Sequence, residues 1–286
     1  MARHRKKIID LMSAIVLLAL VALDAMLWNS IFGAAKNGRR TGIYFLPVTQ
    51  GESALLILPN NVSILTDAGS DAAIVDDLQK IESSGDAPYI DLAIISYPQS
   101  TDYAGFESLL DHYQIGAFLY NGRGDITHSA DWQKLTDAIN AKHIPLITIC
   151  AGDRIRYGPA AKIEILSPDA TFARSPEPSD TGIVQRITTP NLSVLLAADI
   201  DVNVENRLLT HGNDIKANIL KAPFPGVATA SGDAFLRAVA PKTIVVTPGA
   251  KNTASAPTKE MLTHLVSSTS ATIATTGRGA FLLYNK

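Results

Sequence analysis

The sequence predicts an α/β protein in which two β-sheets pack together between outer layers of helices, behind one N-terminal transmembrane helix. Three observations predict it. Short apolar runs alternate with amphipathic patterns from Gly42 to the end of the chain. The two halves of that region share one style, strands first and helices outside, which is a four-layer αββα sandwich. Ahead of both lies a long apolar stretch. The 286 residues are 47% hydrophobic and 18% charged, enough for a well-buried core.

The chain opens on a basic tail, 1–7, "MARHRKK". Residues 8–32 form the apolar stretch, long enough to span a bilayer if Asp10 and Asp24 lie near its faces. Trp28 suits an interfacial position. A cleaved signal peptide ending near Gly33-Ala34-Ala35 is the alternative, but Asp24 and Trp28 make a poor approach to such a site. A retained signal anchor is therefore expected. The positive tail then stays in the cytoplasm and the domain lies outside, so the protein is a single-pass membrane protein with an extracytoplasmic domain. Residues 33–41 read as a linker, and 42–286 as one domain.

The domain begins with "GIYFLPV", "ALLILP" and "VSILTDAG", with Asn60-Asn61 as a tight hairpin turn. Asp71–Ser84 has helical spacing through Ile74, Val75, Leu78 and Ile81. The strand "IDLAIIS" runs through the turn "YPQSTDYAG" into a helix bearing Tyr103, Phe106, Leu109, Leu110 and Tyr113. "IGAFLY", a helix around Trp132 and Leu135, and "IPLITI" follow. In the second half "KIEILSP" is a strand and "SPDATFARSPEPSD" a loop. "GIVQRIT" and "LSVLLAAD" form a hairpin across Thr189-Pro190-Asn191. "VENRLLTH" and "GDAFLRAVA" are helices, and "NILKAP" and "KTIVVTPG" are strands. Pro257 opens a last helix with Met261, Leu262, Leu265 and Val266 inward. "ATIATT" and "GAFLLYN" close the chain as a hairpin turning at "TGRGA".

Composition removes some function classes. Cys150 is the only cysteine, so disulfides and a cysteine zinc site are excluded, and its apolar flank makes it a small core residue. Seven of the 25 basic residues precede Thr41, leaving 18 basic against 25 acidic residues in the domain. That balance speaks against direct nucleic-acid binding. No nucleophile elbow or phosphate-binding loop is present.

Five motifs in order resemble the metallo-β-lactamase fold, most closely the hydrolase-like domain of the ComEC competence proteins. "VTQGES" matches V-G-Q-G-[DE]-[AS] through Gln50, Gly51, Glu52 and Ser53, and "TDAG" matches the following turn through Asp67 and Gly69. "ISYPQSTDYAGF" stands where the family has S-H-x-[HD]-x-D-H-x-G-G. "LLAAD" places Asp199 on the metal-bridging aspartate. "LKAPFPGVATAS" matches L-K-x-x-H-H-G-S through Lys221, and "TPGAKNTASAP" the late asparagine motif through Asn252.

The resemblance implies a zinc hydrolase site, but its ligands are replaced. Tyr97, Gln99, Thr101 and Asp102 take the places of ligands in the first histidine motif, Phe224 and Pro225 those of the paired histidines, and Ala256 that of the last. A catalytic zinc takes about three protein ligands and an open position for water. The expectation is a pseudoenzyme: zinc lost, no cofactor, and a vestigial pocket of Gln50, Asp67, Tyr97, Gln99, Thr101, Asp102, Asp199, Lys221, Phe224 and Asn252. Asp102 and Asp199 are the weak candidates for Mg²⁺ or Ca²⁺. Simpler readings make Asp102 the cap of its helix, Asp67 a turn residue and Lys221 a strand-end surface lysine. The function expected is a binding or scaffolding module, whose partner is the membrane and another membrane or DNA-uptake protein. The alternatives are an active phosphodiesterase or nuclease rebuilt on carboxylates, and a structural envelope protein.

Overall fold

Alternation along the strands sets the layers. In β2 (Ala54–Ile57), Leu55 and Ile57 point to one face and Ala54 and Leu56 to the other. The same split divides Leu195 from Val194 and Leu196 in β10 (Ser193–Leu196). Each sheet is thus apolar on both faces and needs a cover on each. The computed structural model describes residues 18–24, 26, 42–81, 88–123, 129–223, 230–249, 257–276 and 281–284.

The chain divides into two units, one of residues 1–39 with 83–86 and the other of 40–82 with 87–286. In the first, residues 18–24 and 26 are helical, and Leu18, Leu20, Val21, Leu23 and Met26 are exposed. Among the described residues no helix is long and apolar enough to cross a membrane. Most of the span expected over 8–32 lies outside the described residues, as do the tail 1–7 and the linker 33–41.

The second unit holds two seven-stranded sheets. The first comprises β1 (Gly42–Phe45), β2, β3 (Ser63–Thr66), β4 (Tyr89–Ile94), β5 (Gln114–Tyr120), β6 (Leu146–Thr148) and β14 (Phe281–Tyr284), in the order β14-β1-β2-β3-β4-β5-β6. The second comprises β7 (Arg154–Tyr157), β8 (Ala161–Ser167), β9 (Val184–Thr188), β10, β11 (Ile219–Lys221), β12 (Thr243–Val246) and β13 (Thr272–Thr275), in the order β13-β12-β11-β10-β9-β8-β7. Both sheets start antiparallel, through β3 in one and β10 in the other, and continue parallel. The common style of the two halves is this shared topology.

Three cores follow. Leu55, Leu65 and Phe118 pack under α1 (Ala73–Gln79), α3 (Gly105–Leu109) and α4 (Ala130–Ala141), through Ile74, Phe106 and Leu135. Phe45, Leu56, Ile94, Ile163, Val194 and Val245 fill the space between the sheets. Leu195, Leu220 and Ile244 pack under α5 (Val202–Thr210), α6 (Asp233–Val239) and α7 (Lys259–Ser268), through Leu208, Phe235 and Leu265. The αββα sandwich expected from the sequence is present.

Several local expectations need correction. The helix pattern at 71–84 shortens to α1. The helix after the "YPQ" turn is broken into α2 (Ser100–Tyr103) and α3. Gly105 at the break packs so closely that an added Cβ would lie 2.1 Å from the Ala68 carbonyl oxygen. β7 was not expected, because "RIRY" pairs two charges with two half-buried residues and carries little apolar signal. The closing strands form no hairpin: β13 pairs with β12 in one sheet and β14 with β1 in the other. The "TGRG" residues 277–280 lie outside the described residues. Cys150 is exposed, since the chain turns at residues 150–153 just past edge strand β6. Val266 is 62% exposed and only Leu265 of its group is fully buried. Pro257 lies ahead of the cap of α7, Thr258, whose Oγ1 accepts from Met261 N at 3.1 Å.

Candidate functional site

The loop after β1, the turns after β3 and β4, the turn after β10 and the end of β11 meet at one end of the sandwich. Gly51 makes the first approach possible. It has φ +75, and an added Cβ would lie 1.9 Å from the Thr101 carbonyl oxygen and 2.7 Å from Asp102 Oδ1. Gln50, beside it, lies against the Gly249 turn, where a Cβ on Gly249 would stand 3.0 Å from its Cα.

Asp67 ties two turns together. It has φ 59 and is fully buried. Its Oδ1 accepts from Ser96 N at 2.8 Å, its Oδ2 from Ser96 Oγ at 2.5 Å, and its carbonyl from Ser53 Oγ at 2.8 Å. The turn role expected for it is therefore fulfilled by a buried carboxyl. Burial, and then the Asp102 charge, push its pKa well up against the Ser96 hydrogen bonds.

Asp102 does not cap a helix. The N-cap of α2 is Gln99, which is exposed and offers its backbone carbonyl to Asp102 N at 2.9 Å. Asp102 lies inside α2 at 1% exposure. Its Oδ2 accepts from Thr101 Oγ1 at 3.1 Å, and its Oδ1 is buried with no hydrogen-bond donor among the described residues. Burial raises its pKa to about 7, against the pull of the Thr101 bond. Tyr97 is also buried, and burial followed by the charges of Asp199, Asp102 and Asp201 keeps its hydroxyl protonated well beyond the usual range.

Lys221 is no surface lysine. It ends β11 at 3% exposure, ion-paired with Glu52 and 3.6 Å from Asp199 Oδ1. Its Nζ donates to the Ala198 carbonyl at 3.3 Å, and Ala198 is a non-glycine residue at φ 49. Burial pushes the lysine pKa well down, while the facing carboxylates favour the charged form. A cavity of about 10 Å³ beside it is lined by Phe45, Glu52, Ser96, Lys221 and Thr247 among others, room for about one water. Below it Gln185 Nε2 of β9 donates to Thr66 Oγ1 of β3 at 3.3 Å, joining the two sheets.

The structure thus brings together Gln50, Asp67, Tyr97, Thr101, Asp102, Asp199 and Lys221, with Gln99 at the rim. Phe224, Pro225, Asn252 and Ala256 lie outside the described residues. Glu52, Ser96 and Gln185 belong to the site but were not singled out. Glu52 was signalled by its place in the Q-G-E-S motif and Ser96 by standing on the serine of the S-H-x-[HD]-x-D-H-x-G-G motif; Gln185 carries no sequence signal of its own. Among the described residues no three or more His, Cys, Asp or Glu side chains are grouped to hold a metal ion.

Three solved structures share this architecture. Zn²⁺-bound PqqB from Methylobacterium extorquens superposes with TM-score 0.57 at 12% identity, over 84% of this chain and 100% of that one. A metallo hydrolase from Ignicoccus hospitalis KIN4/I gives TM-score 0.56 at 13% identity, over 85% and 100%. A metal-dependent hydrolase of the β-lactamase superfamily gives 0.54 at 10%, over 85% and 100%. The chain has the metallo-β-lactamase fold. No family model matches this metallo-β-lactamase-fold chain. ComE operon protein 3 of Bacillus subtilis (strain 168) is 22% identical over 176 residues, covering 60% of this chain and 22% of that protein. The chain thus matches under a quarter of that relative's length.

Proposed function

We propose that this protein is a ComEC-like, metallo-β-lactamase-fold module that has lost the metal centre and works by binding or scaffolding at a membrane. The carrying observation is the set of residues that accompany Asp199, the family's metal-bridging position, in the motifs: Tyr97, Thr101, Phe224, Pro225 and Ala256 stand where the resembling motifs have metal ligands. Around it the donor set does not fit zinc. Tyr97 is a protonated phenol and Thr101 a neutral hydroxyl, and neither is an ordinary zinc ligand.

The likeness to ComE operon protein 3 supports a place beside DNA uptake, and the acidic domain favours a protein partner over DNA. The apolar stretch 8–32 and its basic tail support a membrane anchor with the domain outside the cytoplasm.

Metal analysis and phosphodiesterase and nuclease assays on the purified full chain test the central point. The expected result is no stoichiometric metal and no activity. Bound metal with activity, both lost in Asp102→Ala/Asp199→Ala, would overturn it in favour of a rebuilt hydrolase. Carbonate-resistant sedimentation with membranes, and loss of DNA uptake on deletion, are the expected outcomes in cells. A freely soluble chain would overturn the anchor, and unchanged uptake the DNA-uptake role.

A further inference from the structure

Strand β7 ends the second sheet and pairs on one side only, with β8. Its ladder shows which backbone groups are left over. Asp153 O accepts from Ile165 N at 3.0 Å, and bonded pairs alternate along an antiparallel ladder. Ile155 and Tyr157 therefore bond to β8, while Arg154 and Arg156 turn their N–H and C=O groups to the open edge. The side chains sort the same way. Ile155 and Tyr157 are half-buried against the core between the sheets, and both arginines are exposed on the outer face. That face is short of anions. Arg154, Lys162 and Arg186 all reach one carboxylate, Glu164, at 3.6, 2.9 and 3.4 Å. Asp214 meets Arg186, at 2.9 Å. Arg156 has no ion pair among the described residues and stands directly across from Lys162, where like charges repel.

We propose that β7 is a docking edge for a partner protein: an extended segment of alternating acidic and apolar residues adds to the sheet beside Arg154 and Arg156. The proposal rests on the binding reading above and is independent of the loss of the metal centre. Each feature of the edge selects one part of the segment. The open backbone groups take an added strand. Segment residues opposite Arg154 and Arg156 exchange hydrogen bonds with them and share their face, so acidic side chains there meet both guanidiniums and relieve Arg156 against Lys162. The segment residue between them lies on the other face, beside Ile155 and Tyr157, and is apolar. A second copy of this chain fits less well, because pairing β7 with itself sets arginine directly opposite arginine.

The experiment uses the purified full chain and a fluorescein-labelled peptide, Glu-Val-Glu-Val-Glu-Val-Glu, followed by fluorescence anisotropy. Saturable one-to-one binding is expected. Methylating the glutamate backbone nitrogens, which face β7, should abolish it, and methylating the valine nitrogens, which face away, should not. Arg154→Glu/Arg156→Glu should weaken binding about 10-fold or more and should instead bind the Lys-Val peptide of the same pattern. Absence of saturable binding overturns the proposal. Equal binding of the glutamate-methylated peptide, or of a peptide with the same residues in two blocks, overturns it in favour of unspecific charge attraction. A dimer in sedimentation velocity that Arg154→Glu/Arg156→Glu dissolves overturns it in favour of a second copy. A failed peptide test leaves the reading of the metal centre intact, and bound metal with activity overturns that reading without touching the β7 edge.

Discussion

Gly51 and Asp102 touch, and each constrains the other. A side chain at Gly51 would meet both a left-handed backbone and the Thr101 carbonyl. The backbone conformation alone costs an alanine about 1–2 kcal/mol. Gly51→Ala is therefore expected to lose at least about 2 kcal/mol, read from urea unfolding. Asp102 gives a pH signature. Its folded-state pKa of about 7 lies above the usual carboxyl value, so the folded protein holds a proton that the unfolded chain releases. That stability is fully present below the ordinary carboxyl range and is lost as pH rises through about 7. Asp67, also raised and coupled through the Asp102 charge, acts in the same direction. Asp102→Asn should flatten the decline in stability between about pH 4 and pH 7, about one residue's share of it. An unchanged pH profile would show that the carboxyl is not held protonated.

At the scale of elements, α6 is capped by another helix. Its N-cap, Gly232, has no side chain to offer. Glu205 of α5 accepts from Ser231 N at 2.5 Å and Gly232 N at 2.9 Å, so it satisfies donors at the start of α6 from outside. His264 of α7 hydrogen-bonds the Ser231 carbonyl at 2.8 Å, which brings the third helix into the same joint. Glu205→Ala is expected to cost about 2 kcal/mol, because a buried and a part-buried N–H group lose their carboxylate acceptor. Hydrogen exchange at Ser231 and Gly232 should accelerate more than at β10. By contrast α5 is capped by its own Asp201, whose Oδ1 accepts from Asn203 N at 2.9 Å. Asp201→Ala should cost about 1 kcal/mol by chemical denaturation. The first cap is invisible in the sequence, since Glu205 lies 26 residues from Ser231. The second follows from an aspartate standing before an amphipathic run.

Across the whole molecule, the middle core makes the two sheets one cooperative body. Phe45 is fully buried among Ile94, Ile163 and Val245, which come from both sheets. Phe45→Ala is expected to lose about 3–5 kcal/mol. Far- and near-ultraviolet circular dichroism should still lose signal together, and separate transitions would show that the sheets unfold independently.

The strands and their layering were legible because alternation of apolar residues is a local pattern. The outer helices were legible wherever an apolar stripe was long enough, and less so at α2 and α3, where close packing at Gly105 breaks one pattern in two. The order of motifs likewise named Gln50, Asp67, Tyr97, Asp102, Asp199 and Lys221 as one pocket, and the structure has them near one another. The pairing of the last strand was not legible, because "GAFLLYN" has the same pattern whether it turns back on β13 or crosses to β1. The same limit applies to charge. The sequence by itself determined that the histidines of the resembling motifs are absent from this chain. Only the tertiary structure decided that Lys221 is buried against Glu52 and Asp199, and that Asp102 sits in the interior instead of capping a helix. Residue type fixes which groups can carry charge, but burial and the partner brought from a distant loop decide what each charge does.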